Sequence, residues 1–306
     1  MTMPSPALSA PLPANGRGIL LLIAAVAIFT AMDALAKVLI TSGYPVLQVV
    51  WARYTGQTVI VALALLPRLT VLLRTRYPKL QALRSVFQFG ATALFFASLG
   101  HIGLAEATAL TDINPILITL GAAIFLGERL GPRRIFGVVL AMIGALIVIR
   151  PGFGVFTPAA LLPLGCAVCY AGYAIATRWV GRDESPWTSL IYAALLGTVV
   201  TSAVLPFVWQ APAGAGDLAL FLVIGLLGAA AQYFLIHAFT VAEASAIAPF
   251  GYVGLIFATF WGIVLFGEYP DGWTIVGALV IVAAGVYVWH RETMAHRQAR
   301  LSQDRK

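Results

Sequence analysis

Charge is what this sequence has least of. Its 306 residues include only 19 Lys and Arg and 12 Asp and Glu, 10% in all, whereas a soluble globular domain carries roughly 25%. With 60% of the chain hydrophobic, there is too little polar surface to clothe a water-soluble globule. Cysteine is nearly absent as well. Cys166 and Cys169 stand alone within an apolar run, with neither a second pair nor a His cluster to complete a zinc site, so they read as inert buried thiols. His101 and His237 form no H-x-x-H pattern, and there is no Gly-x-Ser-x-Gly element; this argues against metal or hydrolase chemistry. No G-x-x-x-x-G-K-S/T segment is present to cradle ATP, so any energy must come from a gradient or from exchange. No cofactor is expected.

What fills the chain instead is a succession of apolar stretches about 20 residues long, the length needed to cross a bilayer as a helix. There are ten: 18–40, 46–66, 80–100, 104–126, 133–150, 157–179, 187–208, 218–238, 244–266 and 272–290. The Pro-, Ala- and Ser-rich residues 1–17 read as a disordered cytoplasmic tail and 291–306 as a basic one. The connectors are too short to hold a soluble catalytic domain. With a cytoplasmic amino terminus, sixteen of the nineteen basic residues fall inside and only Arg150 falls outside, while Lys37 and Arg53 lie within spans. That asymmetry predicts a cell (inner) membrane protein with both termini cytoplasmic. It also turns the net charge of +7 into a topology signal rather than a nucleic-acid footprint.

The two halves echo each other. Ala105-Glu106-Ala107-Thr108-Ala109 recurs as Ala242-Glu243-Ala244-Ser245-Ala246, Phe125-Leu126-Gly127-Glu128 as Leu265-Phe266-Gly267-Glu268, and 31–36 as 171–176. The predicted fold is therefore an all-α integral membrane bundle of ten transmembrane helices, with repeats at 18–150 and 151–290. Five helices per repeat is an odd number, so the copies must be inverted relative to each other. Inverted repeats can expose one midplane site to either side alternately.

These residues resemble the drug/metabolite transporter superfamily in its ten-helix form built from two EamA-type repeats. The resemblance covers about 18–290 and is carried best by Gly127-Glu128 and Gly267-Glu268. It implies a secondary transporter of small organic metabolites. Met32-Asp33, Lys37 and Arg53 further resemble members that import S-adenosylmethionine or riboflavin, and the overall layout resembles amino-acid exporters. One departure is that Pro115 aligns with Tyr252 and not with Pro249.

Polar residues within the spans are the candidate ligands, because a charge at mid-membrane must pair or line a wet cavity. Asp33 and Lys37 lie four apart on one helical face. Arg53, with Gln57 one turn on, offers a fork suited to carboxylate or phosphate. Asp112 and Asn114 lie at similar depth in the fourth span. An Arg53–Asp112 clamp between helices is the structural alternative to a binding role. Tyr173, Tyr233 and Tyr252 are candidate walls for the solute, and Asp33, Glu106 and Asp112 are candidates for proton coupling. Pro115 and Pro249 should break their helices. Glu106 and Glu243 suit the positive ends of helices, whereas Glu128 and Glu268 fall at negative ends and predict a gate or hinge contact. The expected partners are a small-molecule solute and the lipid bilayer, with homodimerisation left open and nucleic acid not expected. A membrane enzyme acting on a lipid or prenyl substrate, or a channel or scaffold, are the rival readings.

Overall fold

The computed structural model describes residues 14–126, 132–150, 157–180, 184–242 and 248–303. Glu128 and Glu243 lie outside this set. The described residues are helical with short connections and no strands. In chain order the helices are α1 (Ala14–Thr41), α2 (Val46–Ala64), the single turn α3 (Leu69–Leu72), α4 (Pro78–Leu99), α5 (Leu104–Thr111), α6 (Asn114–Leu126), α7 (Pro132–Ile149), α8 (Leu161–Val180), α9 (Pro186–Val208), α10 (Ala215–Val241), α11 (Val253–Phe266) and α12 (Gly272–Gln303).

The boundaries follow local chemistry. Pro78, Pro132 and Pro186 open their helices, where a missing N–H costs nothing. Ser185 caps α9 by accepting the Trp187 N–H at 3.3 Å, and Asp271 caps α12 by accepting the Thr274 N–H at 2.8 Å. Gly267 ends α11 with φ +64, and the next N–H, that of Glu268, returns to the Gly262 carbonyl at 3.0 Å, a left-handed closure that glycine adopts without strain.

Several expected boundaries are corrected. Stretch 104–126 is two helices, because the chain turns at Asp112 and Ile113. The ninth stretch enters α11 through a 3-10 turn at Ala248–Tyr252. Residues 14–17 are already helical, and α12 continues through 303, since neither Gly nor Pro interrupts 287–303. Five described helices are long and apolar enough to cross a membrane: Gly16–Thr41, Pro78–Leu99, Pro158–Thr177, Pro186–Val208 and Ala215–Ala238. Val46–Ala64 with Leu66–Leu72, bent by 79°, makes a sixth, and Ile135–Ile149, Phe250–Phe266 and Gly272–Tyr287 are shorter apolar helices.

The molecule is organised inside out. Phe207, Leu222, Ile256 and Trp273 are exposed, while Lys37, Gln48, Arg53, Gln57, Gln81, Arg84, Thr92 and Gln232 are buried. In water this arrangement would be unstable; in hydrocarbon it is required, because polar side chains can be satisfied only inside. The helices approach closely where side chains vanish. Gly56 on α2 meets Gly225 on α10 so tightly that a Cβ on Gly56 would lie 2.6 Å from the opposing Cα, small-residue packing typical of membrane helices.

The main helix pairings are α1 with α10, α4 with α8, α7 with α12, α2 with α9, α2 with α10 and α4 with α9. Exchanging the halves (α1 for α8, α2 for α9, α4 for α10, α7 for α12) leaves this set unchanged. Every one of these pairings joins one half to the other, so the halves interlock around a shared centre.

Candidate functional site

Arg53 sits in that centre, buried on α2. Its Nη1 donates to Thr92 Oγ1 of α4 at 2.7 Å, and Thr92 also meets the Tyr54 hydroxyl at 3.0 Å. The guanidinium carbon lies 5.4 Å from the Tyr54 ring centroid and 5.6 Å from that of Phe96, close enough for the ring faces to attract it. Gly228 on α10 gives it room: a Cβ there would stand 3.4 Å from both Arg53 Cγ and Met32 Sδ. Asp33 on α1 lies within the field of the Arg53 charge. Arg53 makes no ion pair among the described residues, and its Nε and the neighbouring Gln57 Nε2 are buried without a hydrogen-bond partner.

The alternative of an Arg53–Asp112 clamp is not seen among the described residues. The two helix positions that looked equivalent in depth are separated by the turn at the α5–α6 break, which carries Asp112 toward Tyr252 instead. Asp112 Oδ2, Asn114 Oδ1 and the Tyr252 hydroxyl are buried without partners. Cys166 of α8 is buried between the two regions, within the fields of Asp33 and Arg53. The backbone puts Pro115 second in α6 and Pro249 second in the 3-10 turn. Each Pro therefore starts a helical segment, where a missing N–H costs nothing, rather than interrupting the middle of one.

Lys37 turns away from Asp33. Its Nζ forms an ion pair with Glu268 and donates to the Ile102 carbonyl at 2.8 Å, while Glu268 Oε2 accepts the Leu104 N–H at 3.0 Å. Glu268 thus escapes the unfavourable end of its own helix by serving the favourable end of α5. Glu106, in the first turn of α5, lies within the fields of Arg150, Asp271 and Lys37. Arg150 pairs with Asp271 at 2.7 Å.

Of the aromatic candidates, Tyr173 does not stand free: its hydroxyl accepts from Arg84 Nη2 at 2.6 Å. Tyr233 is about half exposed, its ring against Trp187 and His237. The sequence reading missed Arg84, which also donates to Thr177 Oγ1 at 2.7 Å and the Ser189 carbonyl at 2.9 Å. Arg84 is the fifth residue of the 80–100 stretch, close behind the basic residues Arg74, Arg76 and Lys79.

Also missed was Glu184, in the turn before α9. It accepts from Thr75 Oγ1 at 2.7 Å, the Arg76 N–H at 2.8 Å and Gln81 Nε2 at 2.9 Å. Partial burial alone would raise its pKa, but these three bonds and the Arg76 charge together hold it below the usual carboxylate value. At the corresponding turn of the first half, Tyr44 donates to Asp217 at 2.6 Å and accepts the Ala213 N–H at 2.8 Å. Each half's first turn is stapled to the other half's second turn.

A buried, polar, partly unsatisfied centre beneath an apolar outer surface suits a membrane carrier. Comparison with known proteins agrees. The EamA-like transporter family model matches twice, over residues 16–150 and 157–289. A pseudopaline exporter (CntI) of Pseudomonas aeruginosa is 30% identical over 272 residues, covering 87% of this chain and 94% of that protein. A riboflavin transporter of Rhizobium johnstonii is 33% identical over 227 residues, covering 74% and 75%, and an S-adenosylmethionine uptake transporter of Rickettsia felis is 28% identical over 231, covering 76% and 78%. A crystal structure 19% identical in sequence shares the fold, with a TM-score of 0.59 over 90% of this chain and 96% of that one. These relatives are transporters rather than enzymes. The twofold match and the inside-out helical bundle together establish that this multi-pass membrane protein belongs to the EamA-like transporter family of the drug/metabolite transporter superfamily.

Proposed function

We propose that the protein is a secondary transporter that moves a small organic metabolite across the inner membrane by alternating access. In this reading ten spans form two inverted five-helix repeats, both termini are cytoplasmic, and proton coupling or exchange drives the cycle. The solute is amino-acid-like, S-adenosylmethionine-like or riboflavin-like, and relatives are named for the last two. Asp33, Arg53, Asp112, Asn114 and Tyr252 surround it, and Lys37 with Glu268 forms a gate at the outer end.

The observation that carries this reading is Arg53: a buried guanidinium whose Nε has no partner and whose charge no carboxylate closes on among the described residues. Inside a membrane protein such a group is costly, and its persistence favours a ligand that completes it. The reciprocal packing of the two halves supports a cycle in which each half takes up the conformation of the other.

The test is solute counterflow in proteoliposomes, with Arg53→Ala beside the unaltered protein. Saturable, trans-stimulated flux that disappears in an Arg53→Ala protein still inserted and folded supports the carrier. Unsaturable conductance would mark a pore, and full flux in the variant would remove Arg53 from the site.

A further inference from the structure

The break between α5 and α6 holds buried oxygen atoms that no described residue hydrogen-bonds. Asp112 and Asn114 flank its centre, and Asp112 Oδ2 and Asn114 Oδ1 are buried without a partner. The Tyr252 hydroxyl, also unpartnered, lies in the field of Asp112. It occupies space left by Gly285, where a Cβ would come within 1.6 Å of it. The Thr111 hydroxyl is already committed to the Ala107 carbonyl at 2.9 Å, so it does not satisfy the cluster.

The backbone adds to this oxygen set. The Asp112 N–H returns to the Thr108 carbonyl at 2.9 Å, and the next turn opens with the Ile116 N–H on the Ile113 carbonyl at 3.1 Å. Pro115 has no N–H to offer the Thr111 carbonyl one turn earlier. The Thr111 carbonyl lies at the negative end of α5, a poor place for a bare carboxylate and a good one for a positive ion.

The chemistry of the donors narrows the ligand. An all-oxygen set selects a hard cation and disfavours soft or imidazole-loving metals. A single carboxylate balances a single positive charge, whereas divalent sites ordinarily gather more acids. A proton can join only two oxygens, which would leave the rest of the cluster unmet. We propose that the α5–α6 break binds a monovalent cation of the sodium class, held by Asp112, Asn114 and the Thr111 carbonyl, with the Tyr252 hydroxyl beside it. As the coupling ion of a carrier this rests on the transporter reading; as a binding site it does not.

The test compares thermal unfolding of the purified full chain in sodium chloride and in choline chloride at equal ionic strength, with no solute added. The expected result is a saturable rise in midpoint with sodium of about 2–4 °C or more, because an ion that binds only the folded form stabilises it. Asp112→Asn should lose that rise while unfolding in choline no earlier than the unaltered protein, since it removes an uncompensated buried charge. Should that variant fail to fold, the sodium titration of the unaltered chain and of Asn114→Ala decides. Equal midpoints in the two salts would overturn the site, as would a sodium effect that survives Asp112→Asn. A rise produced by acidification in choline, with no response to sodium, would identify a proton instead and also overturn it. Solute counterflow separates the two claims: sodium binding without flux of any solute sinks the transporter reading alone, and flux with no sodium effect on stability sinks the site alone.

Discussion

Lys37 on α1 and Glu268 after α11 are 231 positions apart in sequence, yet they form an ion pair that also captures the first N–H of α5. The Lys37 side chain is 4% exposed and that of Glu268 32%, so the lysine depends on its partner far more than the glutamate does. Breaking a buried pair on one side leaves an uncompensated charge, and partial exposure of Glu268 moderates the cost. Glu268→Gln should lower stability by about 1–3 kcal/mol, and Lys37→Met combined with Glu268→Gln should recover part of it. A double-mutant cycle on thermal midpoints measures the coupling; additive effects would contradict a direct tie.

Arg84 should tolerate no substitution by lysine. Its three bonds reach Thr177, Ser189 and Tyr173 in different directions, which a planar fork can do and a single ammonium cannot. Arg84→Lys is expected to cost about 1–3 kcal/mol and Tyr173→Phe about 1, read as falls in midpoint. A neutral Arg84→Lys would show that the cluster does not hold α4, α8 and α9 together.

The staple at Glu184 sets an acid limit. A carboxyl held below its ordinary pKa contributes stability that is complete above the unfolded value, 4.5 here, and lost as pH falls through the folded one. Asp271 shifts the same way, through its bonds from Thr274 first and the Arg150 charge after partial burial is offset. Stability should therefore be flat in pH through these groups above about 5 and decline below about 4. Glu184→Gln should shallow that decline; an unchanged acid limb in the variant would dismiss the staple.

Close approach of helices makes a steric prediction. Gly56→Ala and Gly225→Ala each drive a Cβ into opposing backbone, 2.6 Å from a Cα, and backbone cannot swing aside. Each should cost about 1–3 kcal/mol or more. Gly216→Ala, with open space around it, is the control and should change the midpoint little.

Much of this was legible in the sequence for a physical reason. Lipid demands long apolar helices, and burial of charge inside them is rare enough that Asp33, Arg53 and Asp112 stand out unaided. Pairings between distant positions were not legible. Asp33 and Lys37 share a helical face, so proximity suggested a pair, but Lys37 reaches across to Glu268, and nothing local encodes that crossing. Pro115 announced a disturbance in its span; only the three-dimensional path shows that it opens a new helix and swings Asp112 away from Arg53. Arg84 was hidden because basic residues near a span end usually mark the cytoplasmic side, while this one turns inward to neutral acceptors.

The inverted arrangement of the two halves is tested most directly by their Gly-Glu turns. In a chain freed of Cys166 and Cys169, single cysteines at Arg129 and at the exposed Tyr269 can be probed in intact cells with a membrane-impermeant maleimide. The account predicts labelling of the cysteine at 269 from outside and labelling of the one at 129 only after the membrane is opened. Labelling of both from the same side would contradict it.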